Sequence, residues 1–405
     1  MKPTEARLAH AEAALAELLK FVRPADRALS AYFRSHRQLG QQDRAFVAET
    51  SFAVLRRKRS LEAAAASAAP GDLVIAALVR VFGLSARALE DSSALVARIK
   101  AAQDRSFPEA VRADLPDWLW QRLVLEYGAD EACAISQGLL APAPLDLRVN
   151  LTKISREEAL ECLQLEASAT PYSPAGVRLK GKPQINRHPL FLDGSVEVQD
   201  EGSKLLAYLL APRRGEMVAD FCAGAGGKTL ALSMLMRGAG RVYAMDISAR
   251  RLAELGPRAA RAGASNVHSI LLSGENDLRA KRLTGKLDRV LVDTPCSGFG
   301  TLRRNPDLKW RHDARAVAEL AAKQSRILQA ASKLLKPGGR LVYATCSLSG
   351  RENLDVVAAF RAEHREFHPA PFANVFGFEP DGAGLTIWPA RHDTDGFFVA
   401  SLRRQ

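Results

Sequence analysis

The chain has 405 residues, 47% hydrophobic and 25% charged, a globular balance that excludes a disordered, collagen-like or low-complexity protein. Its 57 basic residues against 45 acidic ones leave a net charge of +12, which favours a polyanionic partner, because cations near phosphates release condensed counterions. No apolar run approaches the roughly 18 residues that a membrane span needs, and the N-terminal stretch carries acids where a signal peptide needs an apolar core. A cytoplasmic monomer with no membrane partner is therefore expected. The five cysteines (Cys133, Cys162, Cys222, Cys296 and Cys346) are too few and too scattered for a disulfide framework, and no paired spacing points to a zinc site.

In chain order, residues 1–130 read as an all-helical domain, with a linker to about 143. Apolar residues recur there at three and four, as in Ala28, Leu29, Tyr32 and Phe33, and Asp72 is placed to cap a helix from Leu73 to Val81. The run Arg56 to Arg59 ends one helix and reads equally as a helix C-terminus favouring cations or as a phosphate contact. Residues 144–200 change texture. Leu145 to Asn150 alternates with period two, Ser155 with Glu157 and Glu158 opens a short helix, and strand-like pieces follow near 177–179 and 196–198, which makes a β-α-β-β module.

Residues 201–405 alternate strand and helix. Strands are expected at 217–222, 241–246, 267–272, 289–293 and 340–345, helices at 228–236, 250–262 and 317–335, and a turn at Pro337-Gly338-Gly339. Apolar strands in this rhythm form a parallel, doubly wound α/β sheet that binds ligands at the C-terminal ends of its strands.

Three motifs fall at such ends. The first, Asp220 to Thr229, is a glycine loop between a strand and a helix, with Asp246 ending the next strand where an acid can take the two hydroxyls of a ribose. The Gly-Lys-Thr at 227–229 evokes a phosphate-binding loop, but Cys222 stands where that motif needs glycine. The second and third are Asp293-Thr-Pro-Cys296-Ser and Tyr343-Ala-Thr-Cys346-Ser, each delivering a cysteine followed by a serine to a strand end.

These motifs, together with Arg303 to Trp310 and Asp395 to Phe398, resemble the Sun-type (Nol/Nop/Sun) RNA cytosine-5 methyltransferases, and among them the bacterial branch that acts on 16S ribosomal RNA. The resemblance is strong over about 145–405. It implies a Rossmann-like S-adenosylmethionine-dependent catalytic domain, an RRM-like module before it and, more weakly, an NusB-like RNA-binding helical domain. It also implies site residues. Cys346 is the nucleophile, Cys296 assists product release and Asp293 acts beside them. Cys222, Ala223, Gly224, Ala225, Gly226, Gly227, Lys228, Asp246 and Asp293 hold the cofactor. Asp277 contacts the adenine, with Glu275 as its rival. Carbon 5 of cytosine is too weak a nucleophile to take a methyl group unaided. A thiolate added at carbon 6 makes it enamine-like.

For RNA, the family's Arg148 and Asn150 are expected to make contacts. So are Arg303, Arg304 and Lys309, in a segment (301–315) that holds five bases against Asp307 and Asp313. Two rivals stand beside this reading: a P-loop NTPase using Asp293 for magnesium, and a non-catalytic RNA-binding assembly factor. The acid at Asp246 opposes the first and the paired cysteines oppose the second.

Overall fold

The computed structural model describes residues 3–85, 89, 92–372, 376–380 and 384–405. They form two units, one of Met1–Pro142 with Thr301–Arg315, the other of Ala143–Gly300 with Ala316–Gln405.

The first unit is helical, as the apolar spacing predicts. Its middle is the helix Pro70–Arg80, in which every residue from Leu73 to Val79 is buried. The helices Glu5–Leu18, Gln41–Arg56 and Lys58–Ala65 pack around it through Leu15, Val47, Val54 and Leu61. Helix continues through most of the stretch from 131 to 143 expected as a linker. Asp117–Tyr127 and Ala129–Leu140 pack on each other and bury Leu119, Trp120, Leu123 and Ile135.

The segment Thr301–Arg315 belongs to this unit, which corrects the reading of its bases as an RNA-facing loop. Lys309 is 2% exposed and donates to the carbonyl of Arg56, while Trp310 Nε1 donates to that of Leu55, each at 2.8 Å. Arg303 is 4% exposed and donates to Pro142 O, and its own carbonyl accepts from Arg56. Burial pushes the Lys309 amine down to about 7. A buried amine bonded to a carbonyl is not available to a phosphate, so Lys309 and Arg303 act as packing donors. Arg304 is half-buried. The run Arg56 to Arg59 is engaged internally as well, through Arg56 on Arg303 O, Lys58 on Glu62, and Arg59 on Leu115 O and Asp117.

The second unit opens with the small module. Strands β1 (Leu145–Val149), β2 (Ala167–Ala169), β3 (Gly176–Leu179) and β4 (Val196–Val198) form an antiparallel sheet in the order β2-β3-β1-β4. The helix Arg156–Leu163 carries the expected capping box, with Ser155 Oγ accepting from Glu158 N while Glu158 accepts from Ser155 N.

The large sheet comprises β5 (Met217–Asp220), β6 (Arg241–Asp246), β7 (Val267–Leu271), β8 (Leu287–Asp293), β9 (Leu335–Thr345), β10 (Phe367–Pro369), β11 (Gly384–Ile387) and β12 (Phe397–Arg404). Its order is β10-β12-β9-β8-β5-β6-β7, with β11 on β12. The pairs from β9 through β7 are parallel, and β12 closes antiparallel on β9. Buried apolar clusters cover both faces, one around Val290, Val292, Leu341 and Tyr343, the other around Leu291, Val342, Leu205 and Leu209. The turn expected at Pro337-Gly338-Gly339 lies instead within β9, as a bulge between the pairs Leu287–Leu335 and Arg289–Arg340. Among the described residues, no single helix is long and apolar enough to cross a membrane.

Candidate active site

Parallel strands β8 and β9 are neighbours, so their C-terminal ends deliver Cys296 and Cys346 side by side, with Sγ atoms 3.2 Å apart. The surrounding backbone fixes them. Gly300 N donates to Cys346 O at 2.8 Å, and Gly396 N donates to Gly300 O at the same distance. A Cβ on Gly300 would lie 2.2 Å from Gly396 O, so the chain passes there only without a side chain. The contact with Cys346, and then burial, hold the Cys296 thiol well above its ordinary range. Burial keeps Cys222 protonated as well.

Both reactive-strand cysteines line a cavity of about 540 Å³, walled by Phe221, Cys222, Asp246, Ile247, Glu275, Asp293 and Lys323 among others. Asp293 ends β8 and pairs with Lys228 Nζ at 2.6 Å. Burial alone would lower the Lys228 ammonium, but Asp293 more than reverses this and the amine sits above its ordinary value. The glycine loop reaches the cavity through Phe221 and Cys222, and Ala223 to Gly227 turn into the helix Gly227–Leu235. Gly224 has φ +57°, and its N–H donates to Asp246 Oδ2 at 2.7 Å, while Ser248 N donates to Oδ1 at 2.7 Å. Asp246 thus closes the loop and keeps a free lone pair on each oxygen for two hydroxyl donors. Asp246→Ala is expected to weaken cofactor binding by roughly 1.5–3 kcal/mol, about 10- to 150-fold by calorimetry; unchanged affinity would remove Asp246 from the site.

The two acids offered for the adenine end differ in their surroundings. Asp277 accepts from Ser273 N, Ser273 Oγ, Arg279 N and Arg279 Nε, so both its oxygens hold the turn together. Glu275 lines the cavity and Asp277 is not among its walls. Arg148 and Asn150 also depart from expectation, since both are buried. Arg148 Nη1 donates to Gln199 Oε1 and Gly227 O, and Asn150 Nδ2 donates to Ala262 O at 2.9 Å. These side chains fasten the small sheet to the glycine loop and to the helix Ala249–Ala262, which leaves little of either for RNA. The P-loop reading fails on the same loop. Thr229 Oγ1 is buried on Asp220 and Lys228 is paired with Asp293, so neither faces a phosphate. Among the described residues, no group of His, Cys, Asp and Glu is placed to hold a metal ion.

Sequence reading missed Glu352. It is fully buried beneath the two cysteine loops and accepts from Ser297 and Ser347, the residues that follow Cys296 and Cys346. The repeated Cys-Ser pair was the available signal for a shared acceptor.

Residues 207–403 match the family described as 16S rRNA methyltransferase RsmB/F. Residues 115–186 match the ferredoxin-like domain of RsmF/B-like methyltransferases, which takes in the helices Asp117–Tyr127 and Ala129–Leu140 as well as β1 to β3. The chain is similar to a probable ribosomal RNA small subunit methyltransferase B of Synechocystis, 36% identical over 71% of this chain and 66% of that one. Its counterpart in Bacillus subtilis is 35% identical over 73% and 68%. The matched segment thus spans about two thirds of the length of these relatives. A solved methyltransferase homologue from Pyrococcus horikoshii is 29% identical and superposes with a TM-score of 0.64 over 73% of this chain and 98% of that one.

Proposed function

The chain belongs to the RsmB/F family of 16S rRNA methyltransferases, and from that premise we propose that it transfers a methyl group from S-adenosylmethionine to carbon 5 of a cytosine in small-subunit ribosomal RNA. The observation that carries this reading is the pair of touching thiols at neighbouring parallel strand ends, facing one cavity with Asp293, whose carboxylate Lys228 pairs.

Cys346, as thiolate, adds to carbon 6 and forms a C–S bond, which pushes electron density to carbon 5. Carbon 5 takes the methyl group from the sulfonium donor, leaving a neutral thioether, and loss of the carbon-5 proton to water then expels the Cys346 thiolate and restores the ring. Cys296, held protonated beside Cys346, assists that expulsion. The cavity fits the cofactor: Asp246 offers two acceptors to a ribose, Phe221 and Ile247 offer apolar walls, and Glu275, also in the lining, is an acceptor for the adenine amine. The bound cofactor supplies the electrophilic methyl group. Incubating 16S rRNA with the protein and isotopically labelled S-adenosylmethionine tests this reading. Label should appear in 5-methylcytidine after digestion, and label in any other nucleoside would contradict it.

The helical unit, read as NusB-like, is the RNA-gripping part, and the module of β1 to β4, read as RRM-like, completes a cytoplasmic monomeric enzyme. Exposed arginines support this role for the helices. Arg23, Arg27, Arg34 and Arg37 follow one face of the helix Ala25–Ser35 and its flanks, and Arg44 stacks 5.7 Å over Phe33 beside them. Replacing Arg27, Arg34 and Arg37 together by alanine should reduce the slope of log affinity against log salt by roughly two to three, with cofactor affinity unchanged. An unchanged slope would make the helices a scaffold.

A further inference from the structure

Glu352 lies in the turn Gly350–Glu352 after β9 with no exposure to solvent. Its carboxylate takes four bonds. Oε1 accepts from Ser297 N and Gln324 Nε2, each at 2.9 Å, and Oε2 accepts from Ser297 Oγ and Ser347 Oγ, each at 2.5 Å. The two serine hydroxyls also touch, at 3.1 Å. Around this knot, Gln324 Nε2 donates to Pro295 O, and Asn353 joins Thr345 Oγ1 to Ser347 O. Tyr343 OH donates to the carbonyl of Glu352 itself at 2.6 Å.

A buried carboxylate is costly unless donors surround it, and here all the donors come from the helix Ala314–Ser332 and the two cysteine loops. A purely structural tie between two loops could use neutral groups. An anion binding the residue after each cysteine fixes both thiols against one point, in addition to the backbone bond from Gly300 N to Cys346 O.

We propose that Glu352 is a positioning residue for methyl transfer: by gripping Ser297 and Ser347 it holds the Cys296 and Cys346 thiols at contact distance, facing the same base. This rests on the reading of the two thiols as the reacting pair. A glutamine at 352 keeps size but puts an amide nitrogen where Oε2 accepted from Ser297 Oγ and Ser347 Oγ, so both hydroxyls must reverse to accept, and two charge-assisted O–H···O bonds become longer neutral N–H···O ones. The grip on the two cysteine loops loosens.

Two readouts test it. For Glu352→Gln, kcat should fall on the order of 10²-fold, the scale of a misplacement near 1 Å, while the KM for RNA and the Kd for S-adenosylmethionine stay within about twofold. The second readout is independent of turnover. Phenylarsine oxide binds two thiols at once, forming two As–S bonds and releasing water, only where the thiols lie close together. With the exposed Cys133 and Cys162 replaced by serine, the full chain should bind one arsenical, and Glu352→Gln should weaken that binding by about tenfold or more as the second thiol loses its effective concentration. If Glu352→Gln does not fold, the double variant Ser297→Ala, Ser347→Ala removes only the hydroxyl bonds and should lose kcat and arsenical affinity in the same direction. A folded variant with unchanged arsenical affinity and unchanged kcat overturns the proposal. If the parent protein binds the arsenical tightly yet methylates no cytosine, the functional reading fails, and the arsenical affinity of Glu352→Gln alone decides whether Glu352 holds the two thiols together.

Discussion

Cys346→Ala is expected to abolish methyl transfer while leaving both substrates bound. The side chain sits at the end of β9 with its Sγ in contact with Cys296, and its carbonyl is held by Gly300 N, so removing one sulfur atom should disturb little else. Losing a covalent nucleophile costs on the order of 10⁴-fold or more in kcat, because the remaining groups have no route to an activated carbon 5. Calorimetry should give wild-type affinity for S-adenosylmethionine, and filter binding should give wild-type affinity for RNA. Residual turnover within about tenfold of wild type would mean that another group attacks carbon 6.

Lys228→Met should be the most disruptive substitution outside the cysteines. It removes the partner of Asp293, whose carboxylate is 2.6 Å from Nζ and whose side chain is 21% exposed. Breaking a buried pair from one side costs about 3–5 kcal/mol, and partial exposure reduces this to about 2–3 kcal/mol. Urea unfolding should therefore show a lowered midpoint. Adding Asp293→Asn should recover part of the loss, because no charge then lacks a partner. Activity should not recover, since Asp293 lines the cavity beside both thiols. A single Lys228→Met variant that unfolds at the wild-type urea concentration would show the pair to be solvated and energetically neutral.

The sequence made the sheet legible because each apolar strand ends in a residue with a reason to be there: Asp246 after β6, Asp293 after β8, Thr345 before Cys346 after β9. Spacing made the helical unit legible but not the end of it, since residues 131–143, expected as a linker, lie largely in the helix Ala129–Leu140. Charge was the least reliable guide. Arg303, Lys309 and Arg148 read as phosphate contacts because a sequence shows a cation without its surroundings, and backbone carbonyls 150 or more residues away in Arg303 and Lys309 claim these donors. Surroundings were hidden in the same way at Asp277, whose carboxylate caps its own turn, and at Glu275 two residues earlier, which lines the cavity. Glu352 was hidden because nothing adjacent to it in the chain marks it, and only the meeting of two distant Cys-Ser pairs explains a carboxylate there.

In the proposed reaction Cys346 bonds to carbon 6 and Cys296 is needed to let go. The most direct measurement is a denaturing gel of Cys296→Ala and Cys346→Ala, each incubated with S-adenosylmethionine and the target RNA. Cys296→Ala should attack, methylate and stall, giving a slow protein–RNA band that survives denaturation, and Cys346→Ala should give none. A band with Cys346→Ala and none with Cys296→Ala would reverse the roles, and no band with either would contradict covalent catalysis by these two cysteines.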